Sequence, residues 1–133
     1  MENKLVKSAK EIISDKHFAV GNDLIYLPDF KLSLTDLFKK KVYTETEISY
    51  CESFDDSALR YASTFAAKEA VYKAIKQIDP KPIGWKKIAI SREKTGGKPT
   101  VTLPAYYDTF KISLTISHDG DYIWALAFIE INP

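Results

Sequence analysis

The chain has 133 residues, of which 45% are hydrophobic and 28% are charged, and this composition is typical of one compact domain with an apolar core. Its net charge of +1 does not by itself indicate an acidic or a basic partner. No apolar run approaches the ~18–20 residues that a membrane-spanning helix needs, and the first residues lack the apolar core of a signal peptide. We therefore expect a cytoplasmic protein without membrane contact. The single Cys51 excludes an intrachain disulfide and is expected to be a small buried residue.

The first part of the chain predicts a helix and then a strand. Residues 3–16 place apolar side chains on one helical face, which is typical of an amphipathic helix. The stretch "AVGNDLIYLPDF", residues 19–30, follows as a strand that stops at Pro28. Asp23 shares a side of this strand with apolar residues. An ionised carboxylate there is costly unless a cation or several donors meet it.

Helical patterns dominate the middle of the chain. Residues 33–41 predict a short helix that ends in lysines, and "TETE" at 44–47 predicts another by the pattern of a capping box. The longest predicted helix is "DDSALRYASTFAAKEAVYKAIKQIDP". We expect Asp55 or Asp56 to cap its start, the alanine-rich sequence to propagate it and Asp79-Pro80 to end it.

The last third of the chain predicts β structure. Residues 85–91 and 99–103 flank a glycine pair, which is typical of a hairpin turn. Residues 111–117 and 122–131 flank "HDGD", a second turn pattern. These segments predict an antiparallel sheet.

The elements together predict an α+β fold in which a long central helix packs on an antiparallel sheet. We expect residues 1–18 to form an N-terminal helical extension and residues 19–133 to form a single domain. The sequence shows no repeat, low-complexity tract or linker that would divide it further.

Two acidic residues are the main candidates for chemistry. Glu69 lies one helical turn from Lys73, so a surface ion pair worth ~0.3–0.5 kcal/mol is one interpretation. Glu69 also borders the alanine-rich face that we expect to be buried. The alternative is that Asp23 and Glu69 converge on a divalent cation, because magnesium needs only one or two carboxylates when waters and substrate phosphates complete its shell. Lys68 and Lys73 would then supply positive charge to a pyrophosphate.

The other polar motifs are less specific. His118 lies where a predicted strand enters its turn, and a lone histidine there is more often structural than catalytic. Ser117 faces the opposite side of that strand, which disfavours a Ser–His nucleophile pair. Residues 81–98 contain six basic residues and one acid, a charge that attracts phosphate ligands, nucleic acid or an acidic protein. The turn there lacks the interleaved aromatic residues of a nucleic-acid-binding module, so we expect no nucleic-acid partner.

Five motifs in order carry a family resemblance: "VGNDL", "YTETEISYC", "RYASTFAAKEAVYKAI", "GWKKIAISREKTGGKPTVTL" and "LTISHDGDYIWALAFIE". From about Val20 to Glu130 the chain resembles holo-acyl-carrier-protein synthase, the short form of the 4′-phosphopantetheinyl transferase superfamily. The resemblance implies transfer of the phosphopantetheine arm of coenzyme A to a serine of an apo acyl carrier protein, with release of adenosine 3′,5′-bisphosphate. The carrier would serve fatty-acid synthesis or a secondary pathway.

The resemblance also implies residue roles. Asp23 and Glu69 would hold Mg²⁺ against the coenzyme A pyrophosphate, and Lys73 would contact the phosphates at the transfer centre. Either Glu69 or a metal-bound water would take the serine proton. His118 would lie near the 3′-phosphate of coenzyme A. The full set of implied coenzyme A-binding residues is Lys68, Lys73, Gly97, Lys98, Pro99, Ser117 and His118.

A short chain of this family implies a homotrimer with active sites at the subunit interfaces. The segment after the Asp23 strand contains no arginine, so Lys31 and the lysines at 39–41 are the candidates for docking the carrier protein. A non-catalytic module of the same fold that binds coenzyme A or a carrier protein is the alternative. The retention of Asp23, Glu69 and Lys73 together argues against it.

Overall fold

The computed structural model describes residues 18–92 and 97–131; the helix predicted over 3–16 lies outside them. The described helices are α1 (Leu27–Ser33), α2 (Asp36–Val42), α3 (Glu45–Glu52) and α4 (Ser57–Lys76). The described strands are β1 (Phe18–Tyr26), β2 (Ala89–Ser91), β3 (Thr100–Thr102), β4 (Phe110–Asp119) and β5 (Tyr122–Ile131), with 3-10 turns at Trp85–Lys87 and Ala105–Tyr107. This combination of helices with an antiparallel sheet confirms the predicted α+β class.

The main sheet has the strand order β1-β5-β4, and both pairings are antiparallel. The hairpin predicted around "HDGD" is confirmed. Gly120 lies in its turn with φ of +57°, a conformation that glycine adopts without steric cost. β1 joins the sheet by a long-range pairing that places Asp23 opposite Ala125.

Helix α4 covers the inner face of this sheet through small side chains. Its residues Ala66, Ala70 and Ala74 are completely buried. On β1, Gly21 lacks a side chain where one would collide with the helix, since an added Cβ would lie 2.0 Å from the carbonyl oxygen of Ala70 and 2.7 Å from the backbone nitrogen of Ala74. The backbones of β1 and α4 are therefore in direct contact, and Asp23, two residues further along the inner side, is brought against the helix.

The first helices differ in part from the prediction. β1 ends at Tyr26, and Pro28 lies in the first turn of α1, where its missing N–H costs no helical hydrogen bond. The helix predicted over 33–41 runs from Asp36 to Val42. The capping box of α3 is confirmed, because Thr44 Oγ1 accepts from the Glu47 backbone and the Glu47 carboxylate accepts from the Thr44 backbone.

The strand predicted over 85–91 is wrong in its first half. Residues 85–87 form a 3-10 turn because Trp85 packs against α4, where its ring contacts Phe65 and Tyr72 at centroid distances of 5.4 and 5.2 Å. Only the second half of the predicted segment, Ala89–Ser91, forms a strand. This strand, β2, pairs with β3 in a separate two-stranded sheet. Helix α4 ends at Lys76, before the predicted Asp-Pro stop. Cys51 is buried as expected.

The outer face of the main sheet is apolar and exposed. We call it the outer sheet face and define it by Val20, Leu24, Tyr26, Trp124 and Phe128, which are between 40% and 63% exposed. Contiguous exposed apolar residues mark interaction surfaces. Across the part of the chain that the structure describes, no helix has both the length and the apolarity to cross a membrane.

Candidate active site

Asp23 forms an ion pair with a lysine of the long helix. Lys73 on α4 donates to Oδ1 of Asp23 at 3.0 Å and to the backbone carbonyl of Asn22 at 3.1 Å. The Asp23 side chain is only 15% exposed, whereas that of Lys73 is 49% exposed. The ammonium group thus compensates a largely buried carboxylate and still faces solvent on one side.

Glu69 lies one turn before Lys73 on α4 and is half-buried. Burial raises the pKa of its carboxyl group above the usual 4.5, the negative charge of Asp23 raises it further, and Lys73 lowers it. Lys73 forms its ion pair with Asp23 and not with Glu69, so the surface Glu69–Lys73 pair considered from the sequence is not the arrangement found. The charges of Asp23 and Lys73 both act on Glu69, so the three side chains lie in one neighbourhood, while the ion pair itself joins Lys73 to Asp23.

These two carboxylates fit a magnesium ion. Both supply hard oxygen ligands, and a bound cation would offset the burial and the charge of Asp23 that together raise the pKa of Glu69. Within residues 18–92 and 97–131, no group of three or more His, Cys, Asp or Glu side chains gathers as a metal site. A cation held here would therefore take its remaining ligands from water and from substrate phosphates, which is the usual coordination of protein-bound magnesium.

Lys68 lies on the other side of α4, because neighbouring helical residues point ~100° apart. It is completely buried and forms an ion pair with Glu47 at 2.8 Å. It also donates to the carbonyls of Trp85 at 2.9 Å and Ile88 at 2.8 Å. The predicted role of Lys68 in binding coenzyme A has no support in these contacts. Its three donors instead join α3, α4 and the segment before β2.

The other candidates meet in a separate cleft of about 430 Å³. Its wall contains four of the candidates, Gly97, Pro99, Ser117 and His118, but neither Asp23 nor Glu69 nor Lys73. Lys98 is exposed and lines another cleft beside β3. Within one chain most of the candidates therefore form two groups, a carboxylate pair at β1 and α4 and a cleft at the end of β4, and Lys68 and Lys98 belong to neither.

The cleft also contains Arg60, which sequence reasoning did not single out, and Arg92, which it counted only within the basic segment 81–98. They are the only arginines of the chain, and this is the sequence feature that could have drawn attention to them. We call the cavity the arginine cleft, defined by Tyr50, Phe54, Arg60, Arg92 and His118.

Comparison with known proteins places the chain in a family. The family model described as the 4′-phosphopantetheinyl transferase superfamily matches residues 19–127. A protein named holo-[acyl-carrier-protein] synthase from Chlorobaculum parvum is 38% identical over 93 residues, covering 70% of this chain and 79% of the relative. One of the same name from Chlamydia muridarum is 35% identical over 122 residues, covering 86% and 96%.

Solved structures of the same family have a similar fold. The complex described as "Chronobacterium ammoniagenes ACPS-CoA complex" has a TM-score of 0.72 at 25% identity, covering 87% of this chain and 98% of that one. The holo-(acyl-carrier-protein) synthase of Bacillus anthracis in complex with CoA (3′,5′-ADP) has a TM-score of 0.71 at 25% identity, covering 86% and 96%. The chain belongs to the 4′-phosphopantetheinyl transferase superfamily and is an enzyme of that class.

Proposed function

We propose that this enzyme transfers the 4′-phosphopantetheine arm of coenzyme A to a serine of an apo acyl carrier protein and releases adenosine 3′,5′-bisphosphate. The observation that carries the proposal is the convergence of Asp23, Glu69 and Lys73 at the contact between β1 and α4. The named relatives and the coenzyme A complexes of similar structures support the choice of substrates.

Asp23 and Glu69 would hold Mg²⁺, which when bound offsets the negative charge on the pyrophosphate oxygens. Lys73 is held by the Asn22 carbonyl and the Asp23 carboxylate, so its position is fixed before substrate arrives. A fixed, partly exposed ammonium stabilises charge that develops on a phosphoryl oxygen without further reorganisation. Either Glu69 or a nearby water would accept the proton of the carrier serine.

The separation of the two groups of candidates supports active sites shared between subunits. Ser117 and His118 border both the arginine cleft and a hollow in the outer sheet face that includes Leu24 and Trp124. Packing of the outer sheet face against another copy would bury its apolar side chains. We propose a homotrimer in which the arginine cleft of one copy completes the carboxylate site of the next.

The surface of α1 and α2 supports carrier docking. Leu32 and Leu37 are 83% and 76% exposed, an unusual exposure for side chains of this kind. Lys31, Lys40 and Lys41 are exposed on the same two helices. Exposed leucines beside lysines suit a carrier protein that presents acidic and apolar residues. Lys39 is less available, because it pairs with Glu52 at 3.2 Å.

The test is direct. The full chain is incubated with coenzyme A, magnesium and apo acyl carrier protein, and the carrier is examined by mass spectrometry for the added phosphopantetheine arm. The same reaction with the active-site serine of the carrier replaced by alanine is the control. Binding of coenzyme A without any mass gain on several carriers would favour the non-catalytic binding module instead.

A further inference from the structure

The side chain of Gln77 joins the end of the long helix to β1. Gln77 directly follows α4 as its C-cap residue and keeps helical backbone angles. Its Nε2 donates to the backbone carbonyl of Val20 at 2.6 Å. The two residues are 57 positions apart in the chain, so this hydrogen bond connects elements that only the tertiary fold brings together.

Lys73, one helical turn before Gln77, makes the same kind of contact. Its ammonium group donates to the backbone carbonyl of Asn22 at 3.1 Å. Donors four residues apart on a helix are separated by about 6 Å along its axis. Carbonyls two residues apart on a strand are separated by about 6.6 Å. Because the two spacings nearly match, the helix presents one donor to each of two carbonyls on the same side of β1.

These two carbonyls lie on the open edge of the main sheet. In the part of the chain that the structure describes, β1 pairs with β5 on one side and has no strand on the other. Backbone groups on such an edge have no ladder partner. Side chains of the helix take the place of that partner here. We call this arrangement the edge clamp, defined by the donors Lys73 and Gln77 and the carbonyls of Asn22 and Val20.

The edge clamp and the contact at Gly21 restrain β1 in different ways. Gly21 lies between the two clamped residues, where the strand backbone approaches Ala70 and Ala74 of α4. A steric contact of this kind limits how near the strand comes to the helix. Hydrogen bonds are directional, so donors held on the helix also fix the position of the strand along the helix axis.

Gln77 is the member of the edge clamp that takes no part in the proposed chemistry. Lys73 also pairs with Asp23 at 3.0 Å and is proposed to contact a phosphate, so its ammonium group is shared among several acceptors. Its hold on β1 weakens when a phosphate competes for it. Gln77 is uncharged, and its bond to Val20 does not depend on the presence of substrate.

We propose that Gln77 is a positioning residue for transfer, which keeps the Asp23 carboxylate on β1 in place relative to Glu69 on α4 by holding the edge of the strand. The inference rests on the proposed transferase function. Loss of the Gln77 donor would let β1 shift along the helix. Magnesium demands near-ideal octahedral geometry, so displaced carboxylates would hold it less well.

The first test measures the magnesium requirement of transfer. Gln77→Met keeps the length of the side chain and removes its donor. This variant should need about fivefold or more magnesium for half-maximal rate, which corresponds to the loss of one hydrogen bond. Gln77→Lys supplies another donor and should restore most of the wild-type behaviour. Lys76→Met is the matched control, because Lys76 donates to the carbonyls of Pro80 and Lys81 at 2.8 and 3.4 Å, at the same helix end but away from β1.

The second test is hydrogen exchange without metal or substrate, which does not depend on transfer. Backbone amides of β1 should exchange faster in Gln77→Met than in wild type or Lys76→Met, while those of β4 stay unchanged. If wild type transfers nothing but this difference appears, the proposed function fails and the role of Gln77 in holding β1 stands. Unchanged exchange in β1, an unchanged magnesium requirement in Gln77→Met, or an equal change in Lys76→Met would overturn the inference.

Discussion

The ammonium nitrogen of Lys73 lies 3.0 Å from Oδ1 of Asp23 and so joins α4 to β1 at the proposed catalytic centre. The carboxylate of Asp23 has Lys73 as its cation within one chain, and Glu69 lies near enough for the charge of Asp23 to raise its pKa. The three side chains therefore interact through their charges. Variants at one position should change the behaviour of the site as a whole.

Asp23→Asn should lower kcat/KM for transfer by about 100-fold or more, because it removes a metal-binding carboxylate and the partner of Lys73. The fold should be retained, since asparagine has nearly the same shape. Transfer assays over a range of magnesium concentrations check this, and high magnesium should restore part of the activity. Asp108→Asn, at an exposed carboxylate, is the control and should behave as wild type. Near-normal activity of Asp23→Asn at low magnesium would contradict the metal assignment.

Glu69→Gln should stabilise the metal-free protein while it abolishes transfer. Burial and the charge of Asp23 raise the pKa of Glu69 above its unfolded value of about 4.5, so the folded state favours the protonated form. The free energy of unfolding of wild type should therefore decrease as pH rises through 4.5 and the raised pKa. Thermal melts in chelator between about pH 4 and pH 8 should show this decrease in wild type and not in Glu69→Gln.

The effect of magnesium on the melting temperature tests the role of Glu69 in a second way. A cation that binds only the folded state raises its melting temperature by mass action. Added magnesium should therefore raise the melting temperature of wild type but not that of Glu69→Gln. An equal shift in both proteins would place the binding elsewhere.

Gly21→Ala should destabilise the protein by about 1–3 kcal/mol or more, because the new Cβ would collide with the backbone of Ala70, which cannot rotate away. The strand must move, so activity should fall even where the protein remains folded. Chemical denaturation and transfer assays measure the two effects. Gly84→Ala is the matched control, since among the described residues its Cβ would meet the Lys87 side chain alone, at 4.0 Å.

Lys68→Met should destabilise the protein by about 3–5 kcal/mol, because it leaves the buried carboxylate of Glu47 without its cation. The double variant Glu47→Gln/Lys68→Met should lose less than the sum of the single variants, since the neutral amide still accepts from the Ile90 backbone. Denaturant titrations of the four proteins give the coupling energy. Strict additivity would show that the pair contributes little.

Trp124→Glu and Phe128→Glu should each convert an oligomer to monomers and abolish transfer, because they place a charge in the apolar outer sheet face. Sedimentation and light scattering measure the mass. Tyr106→Glu replaces a ring that is 69% exposed outside that face and should leave both mass and activity unchanged. A wild-type chain that is monomeric and fully active would exclude shared sites.

Local sequence patterns predicted the features that depend on near neighbours. The capping box at Thr44, the alanine-rich helix and the β4–β5 hairpin were all predicted in place, because caps, propensity and turns act over a few residues. The alternation of residues around Asp23 also identified the inner side of β1 correctly. Residue types alone offered the pairing of Asp23 with Glu69 as one of two interpretations of Glu69, and the resemblance to a family favoured it.

Features that depend on distant contacts were missed. Trp85 was assigned to a strand because its contacts with α4 cannot be seen from its neighbours. Lys68 was assigned to coenzyme A because the sequence does not reveal its burial against Glu47. The arginine cleft joins Arg60 and Arg92 only through tertiary packing.

The contact at Gly21 has a consequence for the evolution of this site. The backbone of β1 touches the backbone of α4, so the separation of the strand-borne and helix-borne carboxylates is fixed by main-chain atoms. A larger residue at position 21 would have to move the strand itself, and with it the carboxylate proposed to hold the ion.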